Sequence, residues 1–128
     1  MDKKIIVTAA FFGMTAIILG AFGAHALKKL LDVSELNTFE TGVKYQMYHA
    51  LFLLFIGSSK AISNKAKKYI YYTTIFGVFF FSVSLYLLAI NKLISVDFKP
   101  FGFITPIGGL LLISSWTCLF VNFYRKTP

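Results

Sequence analysis

Four stretches without lysine, arginine or acidic residues limit what this chain can fold into. Three of them, residues 5–27, 69–91 and 101–124, exceed the roughly 20 residues that a helix needs to cross a bilayer. The first is also longer than the roughly 7–15 residues of a cleaved signal, so we expect it to be retained as a span. The shorter run 45–59 can span if the flanking Lys44 and Lys60 extend their aliphatic stems outward.

The overall composition agrees with a lipid environment. Apolar residues make up 57% of the chain and charged residues 14%, whereas soluble domains average about 45–50% and about 25%. Backbone groups in lipid must be hydrogen-bonded within their own segment, which favours helices even for the aromatic run FGVFFFSVSLYLL. We therefore predict an all-α membrane protein: a single domain, 1–128, forming a bundle of four transmembrane helices with spans 5–27, 44–60, 69–91 and 103–124.

The loop before the second span carries a helix start signal. Asp32 and Glu35 have the spacing of a capping box, and Leu36, Phe39 and Val43 recur at helical intervals. The pattern predicts a short amphipathic helix over about 34–43 that lies at the membrane interface and runs into the second span.

The distribution of lysine and arginine predicts the orientation. With four spans, the side holding both termini carries eight basic residues and one acidic residue, a net charge of +7. The other side carries five basic and four acidic residues, a net charge of +1. The positive-inside rule then places both termini in the cytoplasm. The formal charge of +8 reflects this topology, so we expect the lipid bilayer and no nucleic acid as partner.

Small residues in the first span indicate a packing face. Lipid tails give no hydrophobic drive to bring helices together, so small side chains that allow close backbone approach take that role. Ala16, Gly20 and Ala24 are spaced by four, and two glycines flank them. Two further glycines begin the fourth span. The residues predicted to pack helices are Gly13, Ala16, Gly20, Gly23, Ala24, Gly108 and Gly109.

The two histidines of the chain fall at a similar depth, near the end of the bundle opposite to the two chain termini, together with other polar side chains. The predicted layer comprises His25, Glu40, Tyr45, Gln46, His49, Tyr86 and Thr105. Because polar groups inside a membrane are costly, they face the bundle and find partners. The first interpretation is a hydrogen-bonded layer that fixes helix register. Two alternatives stay open: histidines that relay protons, and histidines that ligate haem or, with Glu40, a divalent metal.

Signatures of other chemistry are missing from the sequence. It has no Cys-x-x-Cys, His-Glu-x-x-His, Walker or Gly-x-Ser-x-Gly pattern, and no acidic residue inside a predicted span. The single cysteine, Cys118, permits no disulfide within one chain. We therefore predict no catalytic residue, no metal site and no cofactor.

Four blocks together resemble one family. They are LGAFGAHALK at 19–28, FETGVKYQMYHAL at 39–51, SLYLLAI at 84–90 and ITPIGG at 104–109. The chain resembles the small bacterial membrane proteins grouped as domain of unknown function 423, which are related to animal transmembrane protein 256. The resemblance implies a four-span protein of the bacterial inner membrane and implies no reaction. The matching positions are Gly20, Gly23, His25, Phe39, Tyr45, Gln46, His49, Tyr86, Thr105, Pro106 and Gly108.

Three classes of function are compatible with these features. We expect a non-enzymatic membrane scaffold or accessory subunit, either homo-oligomeric or part of a larger membrane complex. The first alternative is a proton or small-solute channel or carrier that uses a layer of His25 and His49. The second is a redox protein in which the same two histidines bind haem or a metal.

Overall fold

The structure is a computed structural model that describes residues 1–94 and 97–126. Across these residues the chain forms helices and no β-strand, which confirms the all-helical prediction. A π-helical turn, Phe79–Val83, joins the third and fourth helices into one continuous stretch, and short 3₁₀ turns follow the first and fourth helices and precede the fifth. The α-helices are α1 Asp2–His25, α2 Val33–Ser58, α3 Asn64–Val78, α4 Ser84–Ala89 and α5 Ile104–Tyr124.

Three helical stretches among the described residues are long and apolar enough to cross a membrane. They are Asp2–Lys29, Asn64–Ala89 and Lys99–Tyr124, and an 18-residue window within each has a mean hydropathy of 2.3, 1.7 and 1.8, respectively. Helix α2 is equally long but contains Lys44, Gln46 and His49, which lower its hydropathy. Three candidate spans are thus established, and the fourth remains a prediction. The segment 34–43 is the first part of the continuous α2.

A capping box begins α2 at the residues that the sequence indicates. Asp32 Oδ1 accepts a hydrogen bond from the Glu35 amide at 2.8 Å, and the Asp32 amide donates to Glu35 Oε1 at 3.0 Å. Glu35 Oε1 also forms a salt bridge with Lys92 Nζ, at 2.7 Å, and Lys92 lies just beyond the end of α4. By accepting this hydrogen bond, Glu35 raises the pKa of Lys92. The start of α2 is therefore connected to the end of α4, at the end of the bundle opposite to the two chain termini.

Helices α1 and α2 are antiparallel and in contact along most of their length. A Cβ on Gly23 would lie 3.0 Å from the Phe39 ring, and one on Gly20 would lie 3.4 Å from Val43. Ala16 is 1% exposed in the same face. The small residues of α1 therefore face another helix of the same chain, where they allow α2 to approach closely.

The packing face follows the helical period rather than a strict spacing of four. Gly13 lies near the face, since a Cβ there would be 3.8 Å from the Ala50 side chain, whereas Ala24 is exposed. Each step of four residues rotates about 40° around a helix axis, so Ala24 turns away from Ala16. The step of three from Gly20 to Gly23 corrects that drift.

A partly buried ion pair closes the opposite end, which holds both chain termini and which we call the terminal end. Lys67 Nζ, whose side chain is 3% exposed, lies 2.9 Å from Asp2 Oδ1. This pair joins the first turns of α1 and α3. Between the two ends, apolar side chains of α1, α2, α3 and the loop between α2 and α3 form the main core: Ile5, Ala9, Phe52, Leu53, Ile56, Ile62, Ile70 and Tyr71.

Helix α5 packs on α3 through glycines and hydroxyl groups. A Cβ on Gly108 would collide with the Phe81 backbone nitrogen and would lie 2.9 Å from the Gly77 carbonyl oxygen. Toward the terminal end, the buried Ser115 hydroxyl lies 2.5 Å from Thr73 Oγ1 and 3.0 Å from Thr74 Oγ1. Close backbone contact and a hydroxyl seam together hold these two helices.

The glycines that begin α5 provide a matched test of this packing. We expect Gly108→Ala to lower the free energy of unfolding by about 1–3 kcal/mol, because backbone rather than a flexible side chain blocks its Cβ. Gly109→Ala gains the same helix propensity, yet its Cβ would find ordinary contact, 3.7 Å from the Phe81 ring. Thermal unfolding in detergent measures both variants. Equal stabilities of the two variants would contradict the close packing of Gly108 against the backbone near Phe81.

Candidate functional site: a polar layer between the helices

Gln46 is the centre of the polar layer. Its side chain is 6% exposed and projects from the middle of α2. The amide nitrogen donates to the Phe12 carbonyl at 3.0 Å and to Thr15 Oγ1 at 2.7 Å, both on α1. The amide oxygen accepts from the Tyr86 hydroxyl at 2.7 Å. One side chain thus connects α1, α2 and α4, and both of its amide hydrogens are used.

Tyr86 reaches Gln46 across a glycine. A Cβ on Gly42 would lie 2.6 Å from Tyr86 Cε1, so the ring occupies the space that any other side chain would need. One turn before Tyr86, the buried Ser82 hydroxyl donates to the Gly42 carbonyl at 2.8 Å. Ser82 belongs to the π-helical turn, a feature often found where a helix serves a specific site. Two hydrogen bonds therefore attach this stretch to α2.

His49, one turn beyond Gln46, is held in a defined protonation state. Its Nδ1 lies 2.6 Å from the Tyr45 carbonyl oxygen, and its Nε2 lies 3.1 Å from Trp116 Nε1 of α5. A carbonyl only accepts and an indole N–H only donates, so Nδ1 carries the proton and Nε2 is the acceptor. The neutral imidazole, 3% exposed, has both nitrogens occupied.

The side chains of the remaining members of the predicted layer do not join the hydrogen bonds of the Gln46 cluster. His25 ends α1 and is exposed, away from the Gln46 cluster, and Glu40 is exposed on α2. Tyr45 is 39% exposed and packs its ring 4.9 Å from that of Phe81. Thr105 Oγ1 lies 2.6 Å from Ser84 Oγ and so joins α5 to α4. The structure therefore brings Gln46 and Tyr86 together directly and leaves His25 at the surface.

Three residues of the layer were not predicted from the sequence: Thr15, Ser82 and Trp116. Hydroxyl residues are common in membrane helices, where they bond to their own backbone, and Thr15 also donates to the Phe11 carbonyl at 2.8 Å. Trp116 is predicted to be an interface anchor, because the sequence around it does not indicate that its N–H donates to a histidine. In residues 1–94 and 97–126, no three histidine, cysteine or acidic side chains gather as a metal site would require.

Known proteins include relatives that match this chain over nearly its full length. The model of a family described as "Protein of unknown function (DUF423)" matches residues 19–109, which include Gln46, His49 and Tyr86. The chain belongs to this family. A UPF0382 membrane protein of Staphylococcus saprophyticus is 37% identical over 123 residues, covering 96% of this chain and 98% of that protein. The UPF0382 inner membrane protein YgdD of Escherichia coli K12 is 33% identical over 127 residues, covering 97% and 92%.

The DUF423 relatives agree with the membrane character that the helices show. No solved structure matches the chain. The relatives match nearly the whole chain and, like them, this DUF423 protein is a membrane protein. Their printed names record a membrane location and no reaction.

The two histidines of this DUF423 protein give a matched test of the layer. We expect His49→Leu to lower the free energy of unfolding by about 1–2 kcal/mol, because the Trp116 N–H loses its acceptor. The emission of Trp116, the only tryptophan, should shift in the same variant. His25→Leu, at an exposed site, should change neither property. Fluorescence-monitored unfolding measures both, and equal behaviour of the two variants would contradict the assigned contacts.

Proposed function

We propose that this protein is a non-enzymatic, four-span membrane protein that serves as a scaffold or accessory subunit, as a homo-oligomer or in a larger complex. The observation that carries the proposal is the saturation of the polar layer. The Gln46 amide hydrogens, the Tyr86 hydroxyl and both His49 nitrogens are engaged within the bundle. Groups used in this way hold helices in register and are not available to a substrate.

A proton or solute carrier would need different behaviour from the same residues. To take up a second proton, His49 would have to release the Trp116 N–H that occupies Nε2. A haem or metal bound by both histidines would need the same release, and it would need His25 to turn inward from the surface of α1. Each alternative therefore requires the layer to open, whereas the accessory role uses it as it stands.

The exposed surface supports a role within the membrane. Helices α1 and α5 present large apolar side chains outward, at positions that lipid or a neighbouring subunit would cover: Val7, Phe11, Met14, Ile17, Ile18, Phe22, Ile107, Leu110, Ile113 and Phe120. The proposed location is the bacterial inner membrane with both termini cytoplasmic. The excess of basic residues at the terminal end supports this orientation.

Labelling of single cysteines tests the span number and the orientation together. In a Cys118→Ser background, we expect Lys29→Cys to react with an impermeant maleimide from outside intact cells. Ser63→Cys and Lys126→Cys should react only after the membrane is opened, because α2 carries the chain across between residues 29 and 63. Labelling of positions 29 and 63 from the same side would show that α2 does not span. Labelling of positions 63 and 126, but not 29, from outside would show that the orientation is the reverse of the proposed one.

Native mass spectrometry after gentle extraction tests the function itself. We expect whole multiples of the 14.4 kDa subunit, alone or with other protein chains, and no mass that corresponds to haem or a metal. Proteoliposomes containing the protein should pass protons no faster than empty vesicles. A bound prosthetic group, or a proton flux that disappears in His49→Leu while His25→Leu retains it, would contradict the accessory role and support one of the alternatives.

A further inference from the structure

Two adjoining clefts open at the terminal end, between the start of α3 and the end of α5. The larger, of about 570 Å³, runs along the two helices past Ala66, Tyr69, Cys118 and Val121. The smaller, of about 330 Å³, lies beneath the loop that connects α2 and α3. Both are lined by Ser63, Asn122 and Arg125, so they form one groove with an apolar part and a polar part.

The polar part of the groove is strongly cationic. Lys65 lines the larger cleft, Lys60 and Lys126 line the smaller, and Arg125 lines both. None of these four residues forms a salt bridge with another described residue. The one acidic residue at this end, Asp2, is paired with Lys67. No carboxylate in residues 1–94 and 97–126 therefore compensates the positive charge at the mouth, and this charge attracts an anion at the membrane surface.

A buried donor without a partner lies in the wall shared by the two clefts. Among the described residues, Asn122 Nδ2 is the buried side-chain polar atom that has no hydrogen-bond partner. A buried N–H left unpaired costs free energy, and an acceptor that binds in the groove would satisfy it. Because this nitrogen is itself buried, the Asn122 amide must rotate toward the groove to meet such an acceptor.

We propose that this groove binds an anionic phospholipid. Its phosphate meets the cations at the mouth, an ester or phosphate oxygen accepts from Asn122, and an acyl chain lies along the apolar part between α3 and α5. The depth agrees with this assignment, because the cations flank the ends of the candidate spans Asn64–Ala89 and Lys99–Tyr124, where head groups lie. The site is independent of the accessory role and of which side of the membrane the terminal end faces.

The experiment titrates delipidated full-length protein in neutral detergent with dioleoyl phosphatidylglycerol or dioleoyl phosphatidylcholine, and native mass spectrometry counts the bound lipid. We expect the anionic lipid to bind more tightly. Lys65→Gln and Arg125→Gln should each weaken it about fivefold, and the double variant should weaken it about 30-fold. Asn122→Leu should weaken it about threefold to tenfold through the lost hydrogen bond.

Matched controls separate this site from general charge effects. Lys28→Gln with Lys29→Gln removes two exposed lysines from the opposite end and should leave the affinity within about twofold. Equal binding of the two lipids by the unmodified protein would overturn the proposal, as would unchanged affinity in the double variant. Displacement of the lipid by excess inorganic phosphate would also overturn it, in favour of a site for small anions. If the double variant fails to fold, the lipid comparison and Asn122→Leu decide.

Discussion

The hydrogen bond from Tyr86 to Gln46 is the interaction on which the interior of this bundle depends. It exists because Gly42 has no side chain, which lets the Tyr86 ring cross α2 and reach the next turn. From Gln46 the connection continues to the Phe12 carbonyl and Thr15 on α1. In lipid, apolar surfaces give little net attraction between helices, so a buried amide that connects three segments contributes both stability and register.

The other close contacts are arranged around this constraint. The π-helical turn 79–83 brings Ser82 against the Gly42 carbonyl, while its other side receives α5 at Gly108. One turn along α2, His49 connects to α5 through Trp116. The middle of the central helix α2 can therefore carry polar side chains, because these have hydrogen-bond partners inside the bundle. The same polar side chains lower the hydropathy of α2, so it is not among the three candidate spans, although it packs against them.

Much of the fold could be predicted from the sequence, because lipid leaves few choices for uncharged runs of this length. The capping box at Asp32 and Glu35 and the small-residue face of α1 are local patterns with direct physical meaning. The site was harder to predict, since a shared depth does not give the rotation of each helix. His25 and His49 fall at similar depths, but His25 turns outward and the partner of His49 is an indole 67 positions away. The exposed Ala24 shows the same effect within a single helix.

A double-mutant cycle on Gln46 and Tyr86 tests the central claim most directly. The free energy of unfolding would be measured in one lipid or detergent system for the unmodified protein, Gln46→Leu, Tyr86→Phe and the double variant. If the two side chains act as one unit, the double variant loses about 1 kcal/mol less than the sum of the single losses. Additive losses would show that the two groups contribute separately, and the polar layer would then not be the interaction that holds α1, α2 and α4 together.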